Sequence, residues 1–499
     1  MAQPQRSARG GAHVRAGRED VVKRRIATIL AAFAACAIGQ PACAAATPLP
    51  QLSVSANHRY LEAGGKPWFW LGDTAWLLLS RLDRDETEHY LTVRERQGFN
   101  VVQVMLLHTP QMTSRYGAPA LVDGDPARPR TTAGRDPAKP GEYDYWDHVD
   151  WMVDRAAAHG IYVAMVPAWG DLATDRQLTE ANAAVYGRFL AERYGKRTNV
   201  VWLNGGDTRS ESRTAVWDAL GTTIKAIAPQ QLMTFHPIGR TSSLWQWHQA
   251  PWLDFNMFQS GHRAYDQEGP NAIGEDNWRY VAEAWARAPA KPVLDGEPSY
   301  ENIPHGLHEP AGAPRWQAAD VRRYAWWAVM AGAFGHTYGE NHVMQMYLPG
   351  ADTANFEPVL PWYEALEAPG APGADQMRHL KALVESRPMT GRVPDQAMIL
   401  DNAPRHDRIL ASRGDRYAFA YSYTGRPFTM RLGIIAGRTV RAAWYSPRNG
   451  TVTPIGSFAN RGTRRFDPPG ETAPGNDWAL VLDDAAAAFP APGTTGTSS

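Results

Sequence analysis

Between Trp68 and Val384, short apolar runs alternate with amphipathic segments about eight times, and this alternation constrains the fold more than any other property of the chain. Brief apolar runs bounded by glycine or proline read as buried strands, and apolar residues at helical spacing read as helices. The strand-like runs cover residues 67–74, 100–107, 161–166, 200–203, 232–236, 253–258 and 292–294, and a last one ends at Phe334-Gly335-His336-Thr337-Tyr338-Gly339. Between the first two, Asp83 stands three residues before Glu86, a capping-box start for a helix that ends before Gly98. Helices also read at 179–194, 213–227 and 321–330, and Val149, Met152, Val153 and Ala156 share a face ahead of Gly160. Strand and helix repeating in this way predict a (β/α)8 TIM barrel, with an open doubly wound sheet as the alternative. No Gly-x-Gly-x-x-Gly follows the first strand and no phosphate-binding loop occurs, so a nucleotide site is not supported.

The chain has 499 residues, a length that suits one large domain and one small one. The barrel is expected over residues 47–388, with a polar, proline-rich insertion at about 109–141 that is long enough to read as a functional loop. Past Met389 the texture changes to short strands at 397–400, 416–423, 428–432, 440–445 and 478–482, which predicts a small antiparallel β-sandwich over 389–484. Residues 485–499 read as a disordered tail.

The first 46 residues read as an export signal, with Lys23-Arg24-Arg25, an apolar stretch at 26–38 too short to span a bilayer comfortably, and Ala44-Ala45-Ala46 for cleavage. An uncleaved anchoring helix or a lipid on Cys36 are the alternatives. Both cysteines, Cys36 and Cys43, lie in this leader, so the mature chain is expected to have no disulfide, no cysteine nucleophile and no thiolate metal site. The expected location is secreted or periplasmic, without stable membrane insertion after cleavage. Lys and Arg together equal Asp and Glu at 51 each, which argues against a nucleic-acid or anionic-membrane partner. Oligomeric state stays open. The 19 tryptophans suit the apolar faces of sugar rings, though indoles also fill cores.

Active faces of parallel barrels are built from the ends of the strands. The residues collected there are Asp73, His108, Trp169, Asp171, Asn204, Asp207, His236, Gln259, His262, Glu297, His336 and Tyr338. Acids, imidazoles and aromatic rings together fit a sugar pocket and an oligo- or polysaccharide partner. Asp207 follows the fourth strand and Glu297 the seventh. A lone acid after a strand is often a turn residue, but two on one rim are the minimum equipment for breaking a glycosidic bond. Closeness of the fourth and seventh positions favours the retaining reaction, with Asp207 as acid/base, Glu297 as nucleophile and Asn204 near a sugar 2-hydroxyl. No cofactor is expected. A zinc or iron site from His108, His236, His262, His336 and Asp171 is the runner-up, and it lacks any His-x-His or His-Glu-x-x-His spacing. A non-catalytic sugar-binding protein of the same fold is a further alternative.

The stretch Trp68-Phe69-Trp70-Leu71-Gly72-Asp73-Thr74-Ala75-Trp76, with Gly98-Phe99-Asn100-Val101-Val102-Gln103, resembles the start of the apiosidase-like barrel proteins, which include glycoside hydrolase family 140. The resemblance continues through Trp202-Leu203-Asn204-Gly205-Gly206-Asp207 and Gly296-Glu297-Pro298-Ser299-Tyr300-Glu301, and covers most of the chain because members often carry a small C-terminal β domain. It implies a retaining glycosidase that releases apiose from pectic side chains, with the acid/base on Asp207 and the nucleophile on Glu297. Common barrel hydrolases have Asn-Glu at the fourth strand; here the acid is a shorter aspartate placed two residues further on.

Overall fold

The computed structural model describes residues 48–494 except 140, 210, 271, 309–311 and 351–353. The expected export signal, with Cys36 and Cys43, lies outside the described residues. An antiparallel ribbon of β1 (Leu52–Val54), β2 (Leu61–Ala63) and β3 (Lys66–Trp68) leads into β4 (Trp70–Thr74), the first wholly buried strand. Next come β5 (Val101–Met105), β6 (Tyr162–Val166), β7 (Val200–Thr208) and β8 (Met233–Pro237). A three-stranded sheet holds β9 (Thr241–Ser242), β10 (Asn256–Gln259) and β11 (Val293–Asp295), and β12 (Gly335–Tyr338) returns to pair with β4. The larger, curled sheet is parallel throughout and runs β12-β4-β5-β6-β7-β8.

Helices alternate with these strands, among them Arg84–Arg96, Tyr145–Ala158, Glu180–Tyr194, Thr214–Ile227 and Ala318–Met330. Their starts follow local chemistry: Asp83 accepts from Glu86 N–H at 2.8 Å while Glu86 accepts from Asp83 N–H at 2.9 Å, a cap of about 1 kcal/mol. Helices cover the sheet, so its strands are buried on both faces and read as near-continuous apolar runs. One apolar cluster takes Trp70, Val101, Tyr162, Val201, Met257 and Leu294 from both sheets. Backbone bonds also join the sheet edges, Asp254 N–H to Met233 O at 2.8 Å and Phe334 N–H to Val293 O at 3.1 Å.

The C-terminal part is a separate antiparallel β domain. Its strands are β13 (Val393–Pro394), β14 (Ile409–Arg413), β15 (Tyr417–Ser422), β16 (Phe428–Arg431), β17 (Thr439–Tyr445), β18 (Val452–Ala459), β19 (Thr463–Phe466) and β20 (Trp478–Asp484). They form the sheet β13-β14-β15-β20-β17-β18 and the ribbon β16-β19. The domain is held by Arg322 on Asp477 at 2.9 Å, Arg387 on Asp483 at 2.8 Å, and stacking of Trp326 on Tyr421 with centroids 5.2 Å apart.

Two expectations need correction. Residues 397–400 are not a strand; a short 3-10 helix, Gln396–Met398, occupies this stretch. The Gln396 amide bonds both backbone groups of Ala411, at 2.9 and 3.3 Å, and so takes the place of a neighbouring strand against β14. The stretch 485–494 is seated rather than loose: Phe489 lies under the Arg387 guanidinium at 4.9 Å and beside Tyr417, and Gly493 N–H reaches Ser386 Oγ at 3.2 Å.

Asp73 on β4 is fully buried, with its Oδ2 bonded by Tyr90 Oη at 2.5 Å and Arg94 Nε at 2.7 Å. Removing one partner of a buried pair leaves an uncompensated charge. Arg94→Leu is therefore expected to lose about 3–5 kcal/mol of unfolding free energy, measured by urea denaturation.

Candidate active site

Strand β7 carries the first acid on a bulge. Its pairing with β8 runs in register to Gly205↔His236 and resumes at Thr208↔Pro237, so Gly206 and Asp207 are extra residues. Gly205 and Gly206 have φ of 90° and 115°, and Asp207 itself 40°. A side chain at Gly206 would begin 2.6 Å from the Trp169 ring, and one at Gly205 2.7 Å from His236 O. Only glycine meets both demands. The bulge re-aims the strand end, as bulges beside active sites do, and Asp207 reaches the cavity.

Glu297 follows β11 across Gly296 and is buried. His262 Nδ1 accepts from Tyr300 N–H at 3.3 Å, which leaves Nε2 to donate to Glu297 Oε1 at 3.1 Å. His236 Nε2 lies 3.2 Å from Glu297 Oε2. One oxygen of Asp207, one of Glu297 and a ring nitrogen of His236 all lie within 4.8 Å of one another.

Electrostatics drive the two carboxyls apart. Burial, then the neighbouring Glu297 charge, pushes Asp207 up to about 7. Burial also works to raise Glu297, but the His236 and His262 imidazoles outweigh it and hold this carboxyl well below the usual range. Near neutrality one acid holds a proton while the other is ionised, the division of labour seen where paired carboxyls do acid and anion work.

Both acids open on a cavity of about 610 Å³. Of the residues read at strand ends, His108, Trp169, Gln259 and His262 also line it. His236 sits against Glu297, its ring 5.3 Å from Trp76 and 5.9 Å from Trp169. Four expectations are corrected. Asp73 faces the helix Arg84–Arg96, where Tyr90 and Arg94 hold it. Asn204 is tied away from the cavity, donating to Trp217 O at 2.9 Å and accepting from Gly205 N–H at 3.1 Å. His336 is fully buried off the cavity, where desolvation pushes it down to about 3 and keeps it neutral. Tyr338 donates to Glu301 Oε2 at 2.6 Å and does not line the cavity. The proposed metal set of four histidines and Asp171 is not gathered; among the described residues the grouping that could hold a cation is Asp207, His236 and Glu297.

Several lining residues were not read from strand ends. Trp76 lies two residues past β4, inside the tryptophan-rich motif, and packs edge-on against Trp169 at 5.4 Å. Tyr300 is buried and also lines the cavity. Arg209, Arg240 and Arg263 come from loops after β7, β8 and β10. Among the described residues Arg240 and Arg263 bond backbone oxygens, Gln267 O at 2.8 Å and Gly306 O at 3.0 Å. Burial, and next the Arg240 charge, pulls Arg263 below its usual range.

Two solved glycoside hydrolase structures share this architecture. One described as "Glycoside hydrolase" is 44% identical, with 88% of this chain and 97% of that chain aligned at a TM-score of 0.81. A glycoside hydrolase family 5 structure from Bacteroides vulgatus ATCC 8482 is 43% identical over 87% of this chain and 94% of its own, also at a TM-score of 0.81. The chain is thus a glycoside hydrolase. More narrowly, residues 55–391 match the model of the "Apiosidase-like, catalytic domain", and the chain belongs to that family. Residues 393–483 match a family described as "Putative collagen-binding domain of a collagenase". No curated protein matches the chain. No described helix is long and apolar enough to cross a membrane.

The raised carboxyl has a consequence for stability. Asp207 titrates near 3.8 when unfolded and near 7 when folded, so the folded chain is penalised as pH climbs through that window. Asp207→Asn removes the penalty. Its melting temperature relative to the parent protein is expected to rise between about pH 4 and pH 7 and to level off above, as read by calorimetry at a series of pH values.

Proposed function

We propose that the chain is a retaining glycosidase in which Asp207 is the acid/base and Glu297 the nucleophile. The observation that carries this reading is the pair of carboxyl oxygens within 4.8 Å of each other, on groups shifted in opposite directions. Retaining enzymes hold their carboxyl groups about 5–5.5 Å apart, whereas inverting ones need about 6.5–9.5 Å to admit water. In the first step Glu297 attacks the anomeric carbon as the glycosidic C–O bond breaks, and the Asp207 proton passes to the leaving oxygen. In the second, ionised Asp207 takes a proton from water, whose oxygen displaces Glu297 from the same carbon. His262 and His236 keep Glu297 anionic, and Trp76 and Trp169 offer faces to a sugar ring.

For substrate we propose apiose-bearing or related side chains of pectin. Family membership supports this, and so do Arg209, Arg240 and Arg263 around the cavity, since pectic chains carry uronate carboxylates that guanidinium recognises. The six-stranded sheet and the parallel pair β10–β11 are read as one eight-stranded barrel, joined at the two backbone bonds between their edges. The organisation follows as a leader at 1–46, a barrel at 47–388 and a β domain at 389–484, exported to meet an extracellular polysaccharide. The cluster of Asp207, His236 and Glu297 favours a second reading, metal-dependent hydrolysis on the same three groups.

Asp207→Ala and Glu297→Ala are each expected to cut turnover of a pectic or aryl glycoside by several orders of magnitude, and near-normal rates in either remove that residue from the mechanism. The first-formed sugar, followed by NMR, keeps its anomeric configuration; inversion contradicts the nucleophile assignment. Full activity after chelation excludes the metal reading, and activity restored only by added metal establishes it.

The rate also carries a pH signature. Glu297 must be ionised and Asp207 protonated, so kcat/KM rises through the Glu297 titration and falls through about pH 7. His262→Ala removes the donor to Glu297 and is expected to move the acidic limb to higher pH while leaving the alkaline limb in place.

A further inference from the structure

The β domain carries a concentration of positive charge that the barrel chemistry does not use. From Arg416 to Phe466 the chain has nine arginines and no aspartate, glutamate or lysine, although the whole protein balances 51 basic against 51 acidic residues. Four of the nine are committed elsewhere. Arg416, Arg441 and Arg448 face Asp484, Asp483 and Asp477, and Arg426 bonds backbone oxygens. The remaining five, Arg431, Arg438, Arg461, Arg464 and Arg465, are all exposed and have no carboxylate partner among the described residues.

The fold brings these five to one ribbon and the turn beside it. Strands β16 and β19 pair with Phe428↔Phe466 facing the core, so Thr429↔Arg465 and Arg431↔Thr463 form the opposite, outward face. Arg431 and Arg465 are then diagonal neighbours, about 7–8 Å apart at the backbone. The turn after β18 closes on the same ribbon, through Leu432 N–H to Gly462 O at 2.9 Å and Asn460 N–H to Arg438 O at 2.9 Å, which adds Arg438 and Arg461. Arg464 pairs with buried Met430 and so starts on the other face, where its guanidinium lies 4.0 Å over the Phe458 ring. Asp401 bonds the Thr429 backbone N–H at 2.8 Å, and Asp467 stands just past the ribbon; neither forms an ion pair with the five.

We propose that this ribbon is a non-catalytic binding surface for a linear anionic polysaccharide, a polyuronate. Guanidinium groups bind carboxylates by paired N–H donation, and several of them on one ribbon and its adjoining turn suit a chain carrying repeated charges. A polysaccharide is favoured over other polyanions because the same chain is a glycoside hydrolase. The inference uses that membership and not the proposed sugar or catalytic residues.

The test is affinity electrophoresis of the full-length protein in gels containing polygalacturonate, with neutral galactan, double-stranded DNA and collagen as comparison probes. Arg431→Ala, Arg461→Ala and Arg465→Ala are introduced together, and a thermal melt checks folding. The parent protein is expected to be retarded by polygalacturonate and not by galactan, with retardation weakening as salt rises. The triple variant is expected to lose at least tenfold in affinity while turnover of a small aryl glycoside stays unchanged. If the triple variant does not fold, the single Arg465→Glu variant is read in its place, with the same direction expected. Unchanged retardation of the variant overturns the proposal. So does equal retardation by galactan, or a loss seen with DNA or collagen but not with polygalacturonate. Binding is read without turnover, so failure of the glycosidase mechanism leaves this result intact.

Discussion

Two carboxyl groups in one buried site cannot both stay ionised cheaply, and the arrangement around Asp207 and Glu297 resolves that conflict by asymmetry. Glu297 has two imidazoles within 3.2 Å and Asp207 has none of its own to match them. Negative charge therefore settles on Glu297 and the proton on Asp207. Much of the surrounding structure serves this division. Tyr300 N–H fixes the His262 tautomer, Trp76 and Trp169 enclose His236, and the double glycine lets β7 bulge until its acid meets the cavity.

On the proposed assignment, an aspartate two residues past the Asn-Glu position stands where common barrel hydrolases have glutamate. The shorter side chain loses reach. Gly205 and Gly206, both at positive φ, restore it by extending the backbone instead. The trade is strict, because Trp169 fills the space into which any side chain at Gly206 would grow.

Strand positions were legible because buried parallel strands are written as compact apolar runs: β4, β5, β6 and β12 fall within the runs read from sequence, while β7, β8, β10 and β11 start inside theirs and continue past the end, β7 by five residues. Which face a strand-end residue takes was not legible. Asp73, Asn204 and Tyr338 stand at strand ends as Asp207 does, yet their side chains meet Arg94, Trp217 and Glu301. Period-two alternation decides inside from outside, and a run apolar on both faces conceals its phase. Arg209, Arg240 and Arg263 were hidden for a different reason: each lies on an irregular loop, where no periodicity reports direction. The arginine-only stretch ending at Phe466 was visible in composition, but its convergence on one ribbon needed the β16–β19 register.

Site-resolved NMR titration of the Asp207 and Glu297 side-chain carboxyl carbons tests the central claim most directly. The account predicts that Asp207 titrates near 7 and Glu297 below the ordinary glutamate value of 4.5. Asp207 titrating near 3.8, or Glu297 holding its proton to higher pH than Asp207, would contradict it.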